Sequence, residues 1–221
     1  MIQHVSFDIG NVAARLDEEA AAHVCRTYWP KSDAQSFRRM REAHIPGDAN
    51  DYWRLFQNGT ITDDFYLQKA LEANGIPINP RNKTGFTEAL VAFQGVPYGP
   101  IEALVHELKR QGYGTSVLSN NNPIGWNTPG ARLKDDVDVA VVSYKVGISK
   151  PDQQMYHILL NAIHADDPAT VVFVDDKLAN VTAANNVGII GFHFDISGKR
   201  TMYDAYQDLC RYLKSNGVQI N

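Results

Sequence analysis

Four short polar clusters, each closing an apolar run, hold the residues of this 221-residue chain best suited to chemistry. Asp8 ends the run Val5–Phe7 in HVSFDIGNV and is followed by Gly10 and Asn11. Ser119 closes SVLS and opens onto Asn120, Asn121 and Asn122; Lys150 stands in GISKPD; Asp175 and Asp176 follow VVFV. A carboxylate, a hydroxyl, an ammonium and an acid pair together suit the handling of a phosphoryl group. Carboxylate attack on phosphorus gives an aspartyl-phosphate and splits one difficult displacement into two easier ones. A hydroxyl with backbone N–H groups after a buried strand forms a polar nest for phosphate oxygens. Pro151 fits the first position of a helix, which places Lys150 at a helix N-terminus, where dipole and ammonium both favour an anion. Two adjacent acids at a buried strand end are costly unless a cation neutralises them. Mg²⁺ takes hard oxygen ligands and keeps several waters, so one or two carboxylates plus a substrate phosphate suffice. Asn180, one helical turn later, is placed to orient one of those carboxylates.

These groups need a frame. From residue 99 onward, strand-like runs (Gly114–Leu118, Val137–Val142, Val171–Val174, Ile189–Phe194) alternate with helical periods (Ile101–Gln111, Asp152–His164, Asn180–Asn186, and a closing helix Met202–Asn216). Continuous apolar strands alternating with amphipathic helices predict a parallel sheet covered on both faces. The stretch from Arg15 to Gln94 shows helical spacing only, with breaks at Pro30–Ser32, Pro46–Asp48 and Asn58–Thr60, and a helix start at Thr62-Asp63-Asp64. The expectation is an α/β fold with three parts. Residues 1–14 carry the first strand and the Asp8 loop, residues 15–95 an inserted all-helical cap above the sheet's carboxyl edge, and residues 96–221 the rest of the Rossmann-like core.

Composition narrows the partners. The net charge is −4 and no region is strongly basic, which argues against nucleic acid. No apolar stretch approaches the roughly 20 residues that span a bilayer. The chain opens on strand-like sequence with no secretory leader, so the expected location is the cytoplasm. Cys25 and Cys210 match no metal or redox spacing, the N-x-S/T triplets at Asn58, Asn82 and Asn180 have no secretory context, and the seven His lack zinc-ligand spacing.

The order Asp, Ser, Lys, Asp-Asp, each at a strand end, resembles the haloacid dehalogenase-like (HAD) superfamily over the whole chain, with the helical insertion matching its type-1 cap. FDIGNV (7–12), VLSNNN (117–122), GISKPD (147–152) and VDDKLANV (174–181) carry the likeness, and NGTITDDFY (58–66) is similar to a cap signature of the family. The D-x-G-N-V turn is closest to the alpha-D-glucose-1-phosphate phosphatase-like group. The resemblance implies a Mg²⁺-dependent phosphatase acting on a small phosphorylated metabolite such as a hexose 1-phosphate. It also implies roles: Asp8 as nucleophile and metal ligand, the Gly10 carbonyl as another ligand, and Asp176 as the more direct acidic ligand with Asp175 beside it. Ser119 and Asn120, with Asn11 in the Asp8 turn, hold the phosphoryl group, and Lys150 neutralises it.

Position 10 departs from most phosphatases of the superfamily, which place a second Asp there as general acid/base; Gly10 cannot donate a proton. Loss of a general acid typically forfeits about 10²–10⁴ in rate. The substrate then has a leaving group that departs without help, or water, substrate or a cap residue supplies the proton. Two alternatives stay open: a catalytically weak or silent phosphate-binding relative, and a 2-haloacid dehalogenase, which needs no metal and whose carboxylate substrate the acid pair would repel. Asp17 reads as a helix start. In the cap, His44, Trp53 and Arg54 could meet a sugar or second anion but read mainly as helix faces, and Arg38, Arg39 and Arg41 read as a solvated face rather than a phosphate clamp.

Overall fold

The computed structural model describes residues 1–220. The chain begins with β1 (His4–Phe7), passes a two-residue strand β2 (Ala14–Arg15) and enters five helices. These are α1 (Glu18–Tyr28), α2 (Ala34–Glu42), α3 (Tyr52–Gln57), α4 (Asp63–Ala73) and α5 (Pro80–Phe93). It leaves them through β3 (Val96–Pro97), then runs through α6 (Gly99–Arg110), β4 (Gly114–Ser119), α7 (Pro123–Trp126), a 3-10 turn at Pro129–Asp135 and β5 (Val139–Val142). The remainder is α8 (Ser143–Val146), α9 (Gln153–Ala162), β6 (Val171–Asp175), α10 (Leu178–Asn186), β7 (Ile190–His193) and α11 (Met202–Ser215).

Five strands form one parallel sheet in the order β5-β4-β1-β6-β7. Its middle strands are continuous apolar runs because both faces are covered: Val5, Phe7, Val117, Val172 and Phe173 are all fully buried. Chain direction puts β4 and β5 on one side of β1 and β6 and β7 on the other. The crevice at the carboxyl end of β1 is therefore the switch point where ligands of such sheets bind. Register does the rest. Phe7 pairs with Val117 on one side and Val174 on the other, so residues 8, 118 and 175 emerge at one level.

The helical insertion has its own core, built on Phe37, Phe56, Tyr66, Phe86 and Leu90. Each of its helices starts on a side-chain cap, from Asp17, Asp33, Asp51, Thr62 and Asn79. Asp17 is thus the helix start expected of it, accepting from Ala20 N at 2.8 Å. The insertion rests on the core beside the crevice, where the Ser143 hydroxyl donates to Gln57 O at 2.6 Å. At Gly59 (φ +65°) an added Cβ would lie 2.3 Å from Tyr144 O, so only glycine permits this approach.

Two features differ from the sequence reading. β2 and β3 pair antiparallel, Ala14 with Pro97 and Arg15 with Val96, which binds the chain's two passages between sheet and insertion into one ribbon. The helix after Lys150 begins at Gln153, with Asp152 as its N-cap, so Pro151 lies outside it and Lys150 is not at a helix N-terminus. The Asp152 carboxylate, which accepts from Gln154 N, is the better terminus, and the loop before it is held by other bonds. No helix among the described residues is long and apolar enough to cross a membrane.

Candidate active site

Asp8, Ser119, Lys150, Asp175 and Asp176 converge at the carboxyl end of β1, β4 and β6. Asp8 continues the ladder, donating its N–H to Val174 O at 2.9 Å. The Lys150 ammonium reaches the crevice from the loop before α9 and is almost wholly buried. Its three donors meet three acceptors: Leu118 O at 2.7 Å, Asp175 Oδ2 at 2.7 Å and Asp8 Oδ1 at 3.0 Å. It therefore acts on an anion through its charge and through Asp8.

The buried Lys150 ammonium, with the exposed Lys177 near Asp176, faces three carboxylates. Oxygens of Asp8, Asp175 and Asp176 lie within 4.8 Å of one another. Burial pushes the Asp8 carboxyl up to about 6; Lys150 opposes the rise, and Asp175 and Asp176 add to it. Burial likewise raises Asp176, opposed by its bond from Asn11. Burial pulls Lys150 down, but Asp175 and Asp8 outweigh it, so the ammonium is held charged.

The two adjacent acids have different surroundings. Both Asp175 oxygens are occupied: Asn180 Nδ2 donates to them at 2.9 and 3.0 Å, Lys177 N to Oδ1 at 2.8 Å, and Lys150 to Oδ2. Asp176 Oδ2 accepts from Asn11 Nδ2 at 3.0 Å, but its Oδ1 is buried with no hydrogen-bond partner. A buried carboxylate oxygen left bare costs several kcal/mol, order-of-magnitude, unless a cation takes it. Asp176, Asp8 and the backbone of Gly10 are the groups that fit a hard divalent ion here. Asn180 does orient an acid, Asp175, and its own carbonyl accepts from Tyr156 Oη at 2.8 Å.

Both asparagines expected on the phosphoryl group have their side chains turned elsewhere. Asn11 (φ +58°) ties Asp176 and the Leu16 N–H, and its own N–H donates to Ala14 O at 2.7 Å. The Asn120 amide grips the backbone of Lys150. Open to an anion near Asp8 are the Ser119 hydroxyl and the N–H groups of Gly10 and Asn120, none of which bonds to a protein acceptor among the described residues; the Lys177 side chain also lines the cavity.

A cavity of about 140 Å³ joins these groups to the cap. Its far wall includes Leu16, Arg41, Trp53, Gln57, Phe93 and Gln94. Trp53 was weighed in the sequence, whereas Gln57 and Gln94 carried no signal there. Arg41 corrects the reading of Arg38, Arg39 and Arg41 as a solvated face: its guanidinium packs 5.6 Å from the Trp53 ring centre and 4.7 Å from that of Phe93. The signal was present, because Arg41 lies four residues after buried Phe37 and beside buried Met40, on the inner face of α2. His44 and Arg54 do not line this cavity.

The family model described as "Hydrolase: haloacid dehalogenase-like hydrolase" matches residues 2–188. The chain is similar to the sesquiterpene phosphatase astK of Aspergillus oryzae, 31% identical over 155 residues, which are 65% of this chain and 72% of that protein. It is also similar to the D-ribitol-5-phosphate phosphatase of Bacteroides thetaiotaomicron, 22% identical over 201 residues, 87% of this chain and 91% of the relative. Among solved structures, a HAD family enzyme of Bacteroides thetaiotaomicron in complex with magnesium and inorganic phosphate superposes with a TM-score of 0.71. That likeness covers 92% of this chain and 99% of the other at 20% identity, and concerns the fold.

Proposed function

The chain belongs to the haloacid dehalogenase-like hydrolase family, and we propose that within it the protein is a Mg²⁺-dependent phosphomonoesterase working through an aspartyl-phosphate on Asp8. The bare, buried Asp176 Oδ1 beside Asp8 carries this reading, since it gives the acid cluster a need for a cation next to the carboxylate that would attack. Two phosphatases among the relatives support it. The same three carboxylates oppose a free carboxylate substrate at this end of the cavity, which disfavours the dehalogenase.

Asp176, Asp8 and the Gly10 carbonyl would hold the metal, with Asp175 behind them. When bound, Mg²⁺ supplies positive charge that offsets the acid cluster and the incoming phosphate. Asp8 is the attacking group: Lys150 fixes one of its oxygens at 3.0 Å, and its own N–H anchors it to the sheet. Ser119 Oγ and the N–H groups of Gly10 and Asn120 receive the phosphoryl oxygens. Asp175, gripped by Asn180 and Lys177 N, keeps Lys150 in place. Water then releases phosphate from Asp8.

No side chain at position 10 protonates the leaving group, and Leu16 stands where one would extend: a Cβ on Gly10 would meet Leu16 Cδ1 at 3.2 Å. The reading therefore favours esters that depart unassisted, small phosphorylated metabolites such as hexose 1-phosphates, with residues 15–95 as the specificity-bearing cap. The two free thiols, Cys25 and Cys210, agree with work in a reducing cytoplasm. Hydrolysis of phenyl phosphate and glucose 1-phosphate, with Mg²⁺ and with EDTA, tests the proposal. Metal-dependent turnover lost in Asp8→Asn supports it; metal-independent turnover, or none of either ester, defeats it.

A further inference from the structure

Arg41 sits at the cap end of the cavity with its Nε unanswered. That nitrogen is buried without a hydrogen-bond partner. The nearest carboxylate, Glu18, stands 3.7 Å from Nη1 and is held by both Nε and Nη2 of Arg38. Trp53 and Phe93 pack against the guanidinium and favour its charge, but ring faces offer nothing to N–H groups in the guanidinium plane. A half-buried guanidinium without a hydrogen-bonded acceptor is costly, and proteins rarely leave one so unless a ligand completes it.

The shape of the missing acceptor follows from the donor. The guanidinium is a rigid planar fork that matches a carboxylate bidentately, with charge-assisted bonds about twice as strong as neutral ones. The acids at the other end of the cavity restrict where such a group can lie: Asp8 and Asp176 repel a carboxylate near the metal site and leave the cap end for it. Size adds a limit. The cavity is about 140 Å³, comparable to the ~150 Å³ that accommodates a benzene-sized guest. A phosphoryl group and a short carbon chain fit such a space; a hexose enters only if the cap withdraws, so among the small phosphorylated metabolites named above the shorter ones are favoured.

We propose that Arg41 is the specificity-determining residue of the cap, binding a carboxylate on the leaving group of a short phosphate ester. This rests on the phosphomonoesterase reading above and narrows its substrate to short-chain acids whose phosphate sits on an oxygen that departs unassisted, as in an enol phosphate.

The test compares non-hydrolysable pairs as competitive inhibitors of phenyl phosphate turnover: phosphonoacetate, 3-phosphonopropionate and 4-phosphonobutyrate against methyl-, ethyl- and propylphosphonate. At least one acid should inhibit about 10–100-fold more tightly than its alkyl partner, the value of a charged hydrogen-bonded contact. Arg41→Met should bring that ratio to about one while leaving inhibition by inorganic phosphate unchanged, and Arg41→Lys should keep only part of it. A merely structural Arg41 would lower the melting temperature in both variants without moving the ratio. Equal inhibition within every pair in the wild type, or a ratio that survives Arg41→Met, overturns the assignment. If Arg41→Met fails to fold, an undiminished ratio in Arg41→Lys does the same. Should phenyl phosphate not be hydrolysed at all, the phosphatase reading fails separately, and calorimetric binding of the same pairs still judges Arg41.

Discussion

The side chain of Asn120 and the backbone of Lys150 form a closed pair of hydrogen bonds: Asn120 Nδ2 donates to Lys150 O and Lys150 N donates to Asn120 Oδ1, both at 2.8 Å. The end of β4 thereby sets the height at which the ammonium enters the crevice. Asn120→Ala should cut kcat about 10–100-fold with little change in KM, and lower stability by about 1–3 kcal/mol for the two bonds. Steady-state kinetics and urea unfolding of the variant measure both. A variant with wild-type kcat would show that the loop holds Lys150 unaided.

Asp8 is a stability cost as well as the proposed attacking group. Its carboxyl is raised to about 6 from 3.8, mainly by burial. The folded protein therefore binds this proton more tightly than the unfolded chain does. Stability of the metal-free protein should fall as pH rises from about 4 to about 6 and remain low above that. Asp8→Asn removes the penalty. It should be more stable than the wild type at about pH 7.5, by on the order of 1–3 kcal/mol, with the gap closing toward about pH 4. Adding Mg²⁺ should shrink the gap by stabilising the wild type selectively. Melting curves across pH, with EDTA and with Mg²⁺, check the sign.

Asp176 and Asn180 would act on a bound metal by different routes. Asp176→Asn deletes the charge of the bare oxygen and should abolish Mg²⁺-dependent turnover and its thermal stabilisation by Mg²⁺. Asn180→Ala frees Asp175 without touching the metal site and should weaken Mg²⁺ affinity about 10–100-fold, the usual effect of losing a group that orients a ligand. Mg²⁺ titration followed by calorimetry separates them. Equal, small effects would count against Asp176 as the principal acidic ligand.

Gly10 and Leu16 bear on leaving-group chemistry together. Gly10→Asp alone brings its Cβ to 3.2 Å from the flexible tip of Leu16, which must shift by a few tenths of an ångström, and is expected to gain less than the double variant. Gly10→Asp with Leu16→Ala opens that space and should raise the rate on alkyl phosphates, by up to about 10²-fold, far more than on phenyl phosphate. The ratio of alkyl to phenyl turnover is the measurement. An unchanged ratio in the double variant would mean that position 10 does not face the departing oxygen.

Much of the frame was legible in the sequence because buried parallel strands are written as unbroken apolar runs, and the polar residue ending each run marks the sheet's carboxyl edge. Asp8, Ser119 and Asp175 were readable for that reason. Lys150 was found at the right place by the wrong route: Pro151 looked like a helix start, but Asp152 competes for that role with a carboxylate and wins. Asn11 and Asn120 showed their polarity but not their direction, since an amide can face a ligand or a neighbouring backbone with equal propensity. Arg41 was lost among Arg38 and Arg39, because charge outweighed its i, i+4 relation to Phe37. Strands as short as β2 and β3 carry no periodicity at all and become visible only through their pairing.

That pairing has a further consequence. Since Arg15 and Val96 lie opposite each other, the sheet receives the helical insertion as it would receive the tip of a hairpin. An insertion held in this way could change in length without a change in the strand register beneath. If the upper part recognises and the sheet edge cleaves, a lineage could exchange the one and keep the other's reaction.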